Sequence, residues 1–151
     1  MFEDGQYIDS GFIDLHKDKD TEHRVLDMGN KLCQLIDKYS PNKVVIEDTM
    51  QMKNPSTLKV LVILSGVLRY HCFMNDIPYE LLMPSEWRKI LGIQEHGVKR
   101  PELKARAINL VYEQFGMKAE EDNAEAICIA LATCVRDGLT TIKSEPIDDD
   151  W

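Results

Sequence analysis

A short apolar strand between two long helical patterns constrains the fold of this chain more than any other feature. The strand is Lys43-Val44-Val45-Ile46-Glu47-Asp48, a β-branched run without polar alternation, typical of a strand covered on both faces. Apolar residues at helical spacing precede it from Thr21 to a Ser40-Pro41-Asn42 stop, and a second helical pattern follows from Asn54 to Asn75. This order predicts a parallel sheet in an α/β fold.

Further elements extend the alternation in both directions. Tyr7 to Leu15 predicts a strand that follows an Asp4-Gly5 turn, and Tyr79 to Met83 predicts another short strand. Three helices are predicted after it, over Pro84 to Gly92, Pro101 to Phe115, and Glu120 to Val135, with a loop from Gln94 to Lys99. The predicted order therefore begins β-α-β-α-β and ends in helices.

The composition is that of one globular domain in a reducing, cytoplasmic compartment. A hydrophobic fraction of 44% and a charged fraction of 29% in 151 residues argue against disorder or a disulfide scaffold. The longest apolar stretch, residues 60–67, falls far short of the ~20 residues of a membrane span. The first residues lack a secretion signal, and the four scattered cysteines form no metal motif. We therefore expect core cysteines and no membrane association.

The net charge of −8 is unevenly distributed along the chain. Nucleic-acid contacts are made by lysine and arginine, so an acidic chain is usually a poor candidate for binding DNA. The segment from Arg88 to Arg106, however, contains six basic residues and only two acids. This local excess keeps a nucleic-acid partner possible.

Three acids form the candidate catalytic group. Glu47 ends the buried strand, and sites in open α/β sheets form beside the carboxyl ends of strands. Asp122 and Glu125 are three residues apart at the start of the last helix, so their carboxylates face the same side. Taken singly, each acid has an ordinary alternative role, as a strand end or as a charge that favours a helix N-terminus.

Clustered carboxylates need a compensating cation, because like charges oppose one another's ionisation. Oxygen ligands suit Mg²⁺ or Mn²⁺ better than zinc. Two such ions can activate water on one side of a phosphodiester and stabilise the leaving oxygen on the other. The three acids thus indicate metal-assisted phosphodiester hydrolysis.

Several segments together resemble the RuvC-type crossover-junction endonucleases, especially their short phage-like members. The matching segments are V-V-I-E-D-T-M-Q-M-K-N (Val44 to Asn54), a long helix with Gly66 in its middle, P-S-E-W-R-K (Pro84 to Lys89), and D-N-A-E-A-I-C-I-A (Asp122 to Ala130). The resemblance implies an RNase H-like mixed sheet flanked by helices. It also implies a homodimeric, metal-dependent endonuclease that cuts four-way (Holliday) or branched DNA in recombination and repair or in phage DNA processing.

The resemblance also implies roles for individual residues. Glu47, Asp122 and Glu125 correspond to the second, third and fourth metal-binding acids of the family, and Glu125 departs from the more common Asp. Met50 matches the loop position from which a side chain wedges into the junction, and Lys53 lies near enough in sequence to reach a phosphate. The remaining DNA-binding candidates match a basic stretch beside the scissile phosphate, namely Lys99, Arg100 and Lys104. Ordinary packing for Met50 and a solvated basic surface for the lysines and arginine are the alternatives.

The family's first strand, which carries an Asp in an I-D-x-S-x-x-T-G-type stretch, has no counterpart here. We therefore expect the first strand and most of the second to be missing, with one nuclease domain over residues 1–143 and an acidic flexible tail over residues 144–151. Without its central neighbour, the Glu47 strand is expected to have an unpaired edge.

Two other functions compete with junction cleavage. One is a catalytically impaired module of the same fold that binds DNA junctions or interacts with a partner. The other keeps the nuclease chemistry but changes the substrate to an RNA-DNA hybrid or plain duplex. Cleavage and binding assays on these substrates discriminate the three hypotheses.

Overall fold

The computed structural model describes residues 1–15, 20–49 and 54–143. The elements in chain order are β1 (Phe2–Glu3), β2 (Gln6–Tyr7), α1 (Thr21–Tyr39), β3 (Val44–Glu47), α2 (Pro55–Met74), β4 (Tyr79–Leu82), α3 (Pro84–Ile90), α4 (Arg100–Phe115) and α5 (Glu121–Arg136). They divide into two compact units, which we call the middle unit (Ile13–Met83) and the terminal unit (Met1–Phe12 with Pro84–Trp151). The single domain expected over residues 1–143 stays a prediction, and the expected acidic tail lies outside the described residues.

The middle unit begins with the two helices that the sequence predicts. The Asp20 side chain caps α1 by accepting a hydrogen bond from the backbone N–H of His23 at 3.0 Å. Asn54 caps α2 in the same way, accepting from the backbone N–H of Ser56 at 3.0 Å. The two helices pack on each other. α1 begins at Thr21 and ends before Ser40, and α2 follows Asn54 and ends before Asn75, as the sequence patterns predict.

The sheet of the middle unit pairs β3 with β4 in parallel, as predicted for the Glu47 strand. Val44 lies opposite Tyr79 and Glu47 opposite Leu82, and the Lys43–Glu80 ion pair (2.6 Å) flanks the first pair. All four β3 residues are half-buried rather than fully buried. Within the described residues β3 has a partner strand on one edge, β4.

The terminal unit begins with a hairpin that corrects one prediction. β1 and β2 pair antiparallel around Asp4 and Gly5, which both have positive φ as this two-residue turn requires. The strand predicted over Tyr7 to Leu15 was wrong in extent, because the described residues after Tyr7 form no strand. A strand needs a hydrogen-bonded neighbour, and backbone pairing with residues 1–3 reaches as far as Ile8 and Asp9, whose N–H groups donate to the Met1 carbonyl oxygen at 3.0 and 3.5 Å.

Three helices build the core of the terminal unit. α5 packs against both α3 and α4. The largest fully buried side chains of the unit are Trp87, Ile127, Val111 and Cys128. The Cys128 thiol donates to the carbonyl oxygen of Ala107 at 3.7 Å and thereby joins α5 to α4. This packing gives the start of α5 a fixed position relative to α3 and α4.

α2 differs from the other described helices in its exposed apolar surface. Val62, Tyr70 and Phe73 are 53%, 65% and 70% exposed. By length and composition it is the one helix of the described chain that could cross a membrane, a test that core helices of soluble proteins also pass. The expectation of no membrane association stays a prediction.

The four cysteines are free thiols, as expected. Cys72, Cys128 and Cys134 are buried and Cys33 is half-buried. The core interpretation is therefore confirmed for Cys72, Cys128 and Cys134, whereas Cys33 lies at the edge of the packed interior.

Candidate functional site

Glu47 is the last residue of β3, at the carboxyl end of the parallel pair. Glu47 lies opposite Leu82 in the strand register. The backbone N–H of the following residue, Asp48, donates to the Leu82 carbonyl oxygen at 2.9 Å and fixes this end of the strand. The Glu47 side chain is half-buried. The predicted location of Glu47 at a strand end is thus confirmed, and this residue belongs to the middle unit.

Asp122 and Glu125 lie in the first turns of α5, in the terminal unit. α5 begins at Glu121, so both acids are helical and three residues apart, which places their Cβ atoms roughly 5–6 Å from each other on one face. Asp122 is exposed and Glu125 is half-buried. The helix N-terminus favours both negative charges. This common face is what the sequence spacing predicted.

Glu125 is held by an arginine from α3. The Arg88 Nη2 atom donates to Glu125 Oε1 at 3.0 Å, and the two side chains are 12% and 15% exposed. The Arg88 guanidinium carbon also lies 4.8 Å from the ring centre of its neighbour Trp87, which is fully buried. Stacking and pairing together fix the guanidinium beside the carboxylate.

Part of the basic stretch is neutralised within the protein. Lys104 forms an ion pair with Glu121, and Arg106 contacts both Glu95 and Glu102 at 2.8 Å. By contrast, Lys99 and Arg100 are exposed at the start of α4, and no ion pair within the described residues involves them. Of the three basic candidates in this stretch, Lys99 and Arg100 therefore offer the accessible charge.

Two DNA-binding candidates, Met50 and Lys53, lie outside the described residues. They precede Asn54, the capping residue of α2, and follow Thr49 after β3. Their proposed contacts with a junction therefore stay predictions.

The acids fit a divalent cation in donor chemistry. Asp122 and Glu125 supply carboxylate oxygens from one helix face, and Mg²⁺ is commonly held by one or two carboxylates together with water and substrate phosphate. Among the described residues, no three His, Cys, Asp or Glu side chains gather into a metal-binding group. The structure therefore joins Asp122 and Glu125 on one helix of the terminal unit, while Glu47 belongs to the middle unit.

Sequence reasoning missed the role of Arg88 in the environment of the site. Arg88 was counted as one of six basic residues and as part of the P-S-E-W-R-K segment, with no role of its own. Helical spacing cannot show that it faces Glu125, because the two residues are 37 positions apart. The contact joins two helices, so no local pattern in the sequence signals it.

Comparison with known proteins places the chain in a family. The family description "Crossover junction endodeoxyribonuclease RuvC" matches residues 3–134. The protein of that name from Brachyspira hyodysenteriae is 27% identical over 132 residues, which cover 87% of this chain and 80% of the relative. Its namesake from Legionella pneumophila strain Lens is 25% identical over 137 residues, covering 90% and 77%.

Solved structures agree with this match at the level of the fold. The Thermus thermophilus RuvC structure has a TM-score of 0.66 at 16% identity and covers 89% of this chain and 79% of its own. The structure described as T. thermophilus RuvC in complex with Holliday junction substrate has a TM-score of 0.61 at 13% identity, covering 89% and 80%. The RNase H-like α/β class expected from the sequence is confirmed. This chain belongs to the RuvC family of crossover junction endodeoxyribonucleases.

Proposed function

We propose that the chain is a structure-selective endonuclease that hydrolyses phosphodiester bonds at four-way (Holliday) or otherwise branched DNA junctions. The observation that carries the proposal is the family match over residues 3–134, a range that contains Glu47, Asp122 and Glu125. The proposed setting is the cytoplasm of a bacterial or phage-infected cell.

The RuvC family is divalent-metal dependent. In this chain, Asp122 and Glu125 would bind the metal from one face of α5, and Glu47 would contribute a third carboxylate from β3. When bound, two Mg²⁺ or Mn²⁺ ions supply an activated water and stabilise the leaving oxygen of the phosphodiester. The three carboxylates would hold these ions and offset their charge.

DNA recognition would rest on the phosphate backbone and the shape of the junction. Lys99 and Arg100 are exposed and can contact phosphates, which position a protein on DNA without reading its sequence. Lys104 would contribute more weakly because it pairs with Glu121. Lys53 would bind a further phosphate, and Met50 would insert as an apolar wedge between base pairs.

A two-fold homodimer would bring two such sites to the paired strands of a junction. The apolar side chains that α2 exposes in the middle unit support this proposal, since large exposed apolar patches commonly mark protein contacts. Analytical ultracentrifugation of the full chain should give twice the monomer mass. A monomer at all concentrations, with and without junction DNA, would contradict the dimer.

The experiment that tests the function is cleavage of a synthetic four-way junction by the full chain in Mg²⁺ or Mn²⁺. Glu47→Gln and Asp122→Asn should each lower the cleavage rate by more than about 100-fold, because each removes a charged metal ligand. Glu113→Gln, which neutralises an exposed acid on α4, is the matched control and should cleave at the wild-type rate. Wild-type cleavage by Asp122→Asn would show that the site assignment is wrong.

A non-catalytic junction-binding module is the second candidate. This function predicts junction binding in EDTA and no cleavage in Mg²⁺ or Mn²⁺. RNA-DNA hybrid and plain duplex substrates belong in the same assay, since faster cleavage of either would indicate an RNase H-like nuclease with another substrate.

A further inference from the structure

The Arg88–Glu125 pair has a geometry that leaves part of the carboxylate available. Arginine can bind both oxygens of a carboxylate through two parallel hydrogen bonds. Here Arg88 Nη2 engages Oε1 at 3.0 Å, and this is the contact between the two side chains. The second oxygen, Oε2, is therefore not used by Arg88.

The pair is a poor device for stability alone. Withdrawing two charges from water is costly, and well-packed apolar residues often replace a buried ion pair without loss. Arg88 Nε is buried and has no hydrogen-bond partner among the described residues, which adds to this cost. Orientation of the Glu125 carboxylate is a role that would account for such a costly pair.

The two acids that precede Glu125 in α5 differ in their ion pairing. Glu121 pairs with Lys104 of α4, which neutralises its charge. Asp122 is exposed, and no ion pair within the described residues involves it. The acids left to act together on this face are thus Asp122 and the oriented Glu125.

We propose that Arg88 is a positioning residue that holds Glu125 through Oε1, so that Oε2 faces a divalent cation shared with Asp122. The stacked Trp87 keeps the guanidinium in place, since its ring is fully buried in the core of the terminal unit. This inference rests on the proposed function, because it assumes that Asp122 and Glu125 bind the metal. Outer partners that orient metal ligands typically change metal affinity by about 10–100-fold when removed.

The test measures Mn²⁺ binding to the full chain by electron paramagnetic resonance, without DNA and without cleavage. Arg88→Ala and Arg88→Gln should each weaken Mn²⁺ binding by about tenfold or more, while Arg88→Lys, which keeps a charged donor, should restore part of the affinity. Arg106→Ala is the matched control, because Arg106 also pairs with two acids of the terminal unit, and it should bind Mn²⁺ as the wild type does. Circular dichroism establishes that each variant is folded. Should Arg88→Ala fail to fold, Arg88→Gln decides the outcome.

A double-mutant cycle separates positioning from a general effect on the fold. In a Glu125→Gln background, Arg88→Gln should cause no further loss of Mn²⁺ affinity, because the ligand that Arg88 orients is already gone. Equal or tighter Mn²⁺ binding by folded Arg88→Gln would overturn the proposal, since it would make Arg88 a bystander or a competitor of the metal. If Asp122→Asn and Glu125→Gln both bind Mn²⁺ as the wild type does, the proposed metal site itself fails.

Discussion

Arg88 Nη2 lies 3.0 Å from Glu125 Oε1 and joins the last turn of α3 to the second turn of α5. The pair is 12% and 15% exposed, so water screens it weakly. Removing one partner leaves the other charge largely buried. The stability of the terminal unit should therefore depend on this pair more than on its other ion pairs.

The first prediction is that Arg88→Ala lowers the free energy of unfolding by about 3 kcal/mol. The substitution leaves the Glu125 carboxylate largely buried without its ion-pair partner. Arg106→Ala should cost about 1 kcal/mol or less, because the acids that Arg106 contacts are 63% and 58% exposed. Urea unfolding followed by circular dichroism measures both values. Equal losses in the two variants would contradict the prediction.

The hairpin turn provides a second prediction. Gly5 has a φ of 77°, and a Cβ atom there would lie 2.2 Å from the backbone oxygen of Leu139. Gly5→Ala should therefore lower the free energy of unfolding by more than about 2 kcal/mol. The substitution strains the backbone at a positive φ, and its Cβ atom clashes with Leu139 unless the backbone shifts. Gly138→Ala, at a φ of 73° with no atom near the added Cβ, should cost about 1 kcal/mol. Thermal unfolding measures both losses, and a larger loss for Gly138→Ala than for Gly5→Ala would contradict the prediction.

The third prediction concerns alkaline pH. Burial raises the pKa of the Cys128 thiol to about 12 from its ordinary value of 9.0, with a further contribution from the nearby Glu125 carboxylate. Above pH 9 the unfolded chain loses this proton while the folded chain keeps it, so stability falls as pH rises from 9 toward 12. Between pH 7 and pH 10, titration of the Cys128 thiol should lower the free energy of unfolding by about 1.4 kcal/mol.

Between pH 7 and pH 10, the free energy of unfolding of Cys128→Ala should fall by about 1.4 kcal/mol less than that of the wild type. Comparing the pH slopes removes the constant cost of truncating the side chain. The half-buried Cys33, replaced by alanine, is the matched control and should change the slope less. Urea unfolding at pH 7 and pH 10 gives the slopes, and parallel slopes for Cys128→Ala and the wild type would refute this prediction.

The fourth prediction concerns DNA binding under the proposed function. Lys99→Ala and Arg100→Ala should each weaken junction binding and lower the slope of log K against log salt by about 1, the effect of losing one phosphate contact. Lys104→Ala should have a smaller effect because Lys104 pairs with Glu121. Fluorescence anisotropy with a labelled junction in EDTA, at several salt concentrations, measures these changes. The largest effect at Lys104 would invert the expected order.

The sequence predicted most of the fold because its signals are local. Asn54 caps α2, Gly116 ends α4, and the β-branched run before Glu47 forms a parallel strand. The strand predicted over Tyr7 to Leu15 was wrong because alternation describes a side-chain pattern and does not supply a partner for the backbone. Pairing partners are distant in sequence or lie across a turn, so a local pattern cannot identify them.

The sequence by itself determined the order of elements from α1 onward, the strand-end position of Glu47 and the shared helix face of Asp122 and Glu125, because helical periodicity, a β-branched run and a three-residue spacing are all local. Only the tertiary structure decided which charges remain available. It paired Arg88 with Glu125 and Lys104 with Glu121, and it left Lys99 and Arg100 exposed. Ion pairs depend on distances in space between residues from different helices, and a count of charges along the chain does not contain those distances.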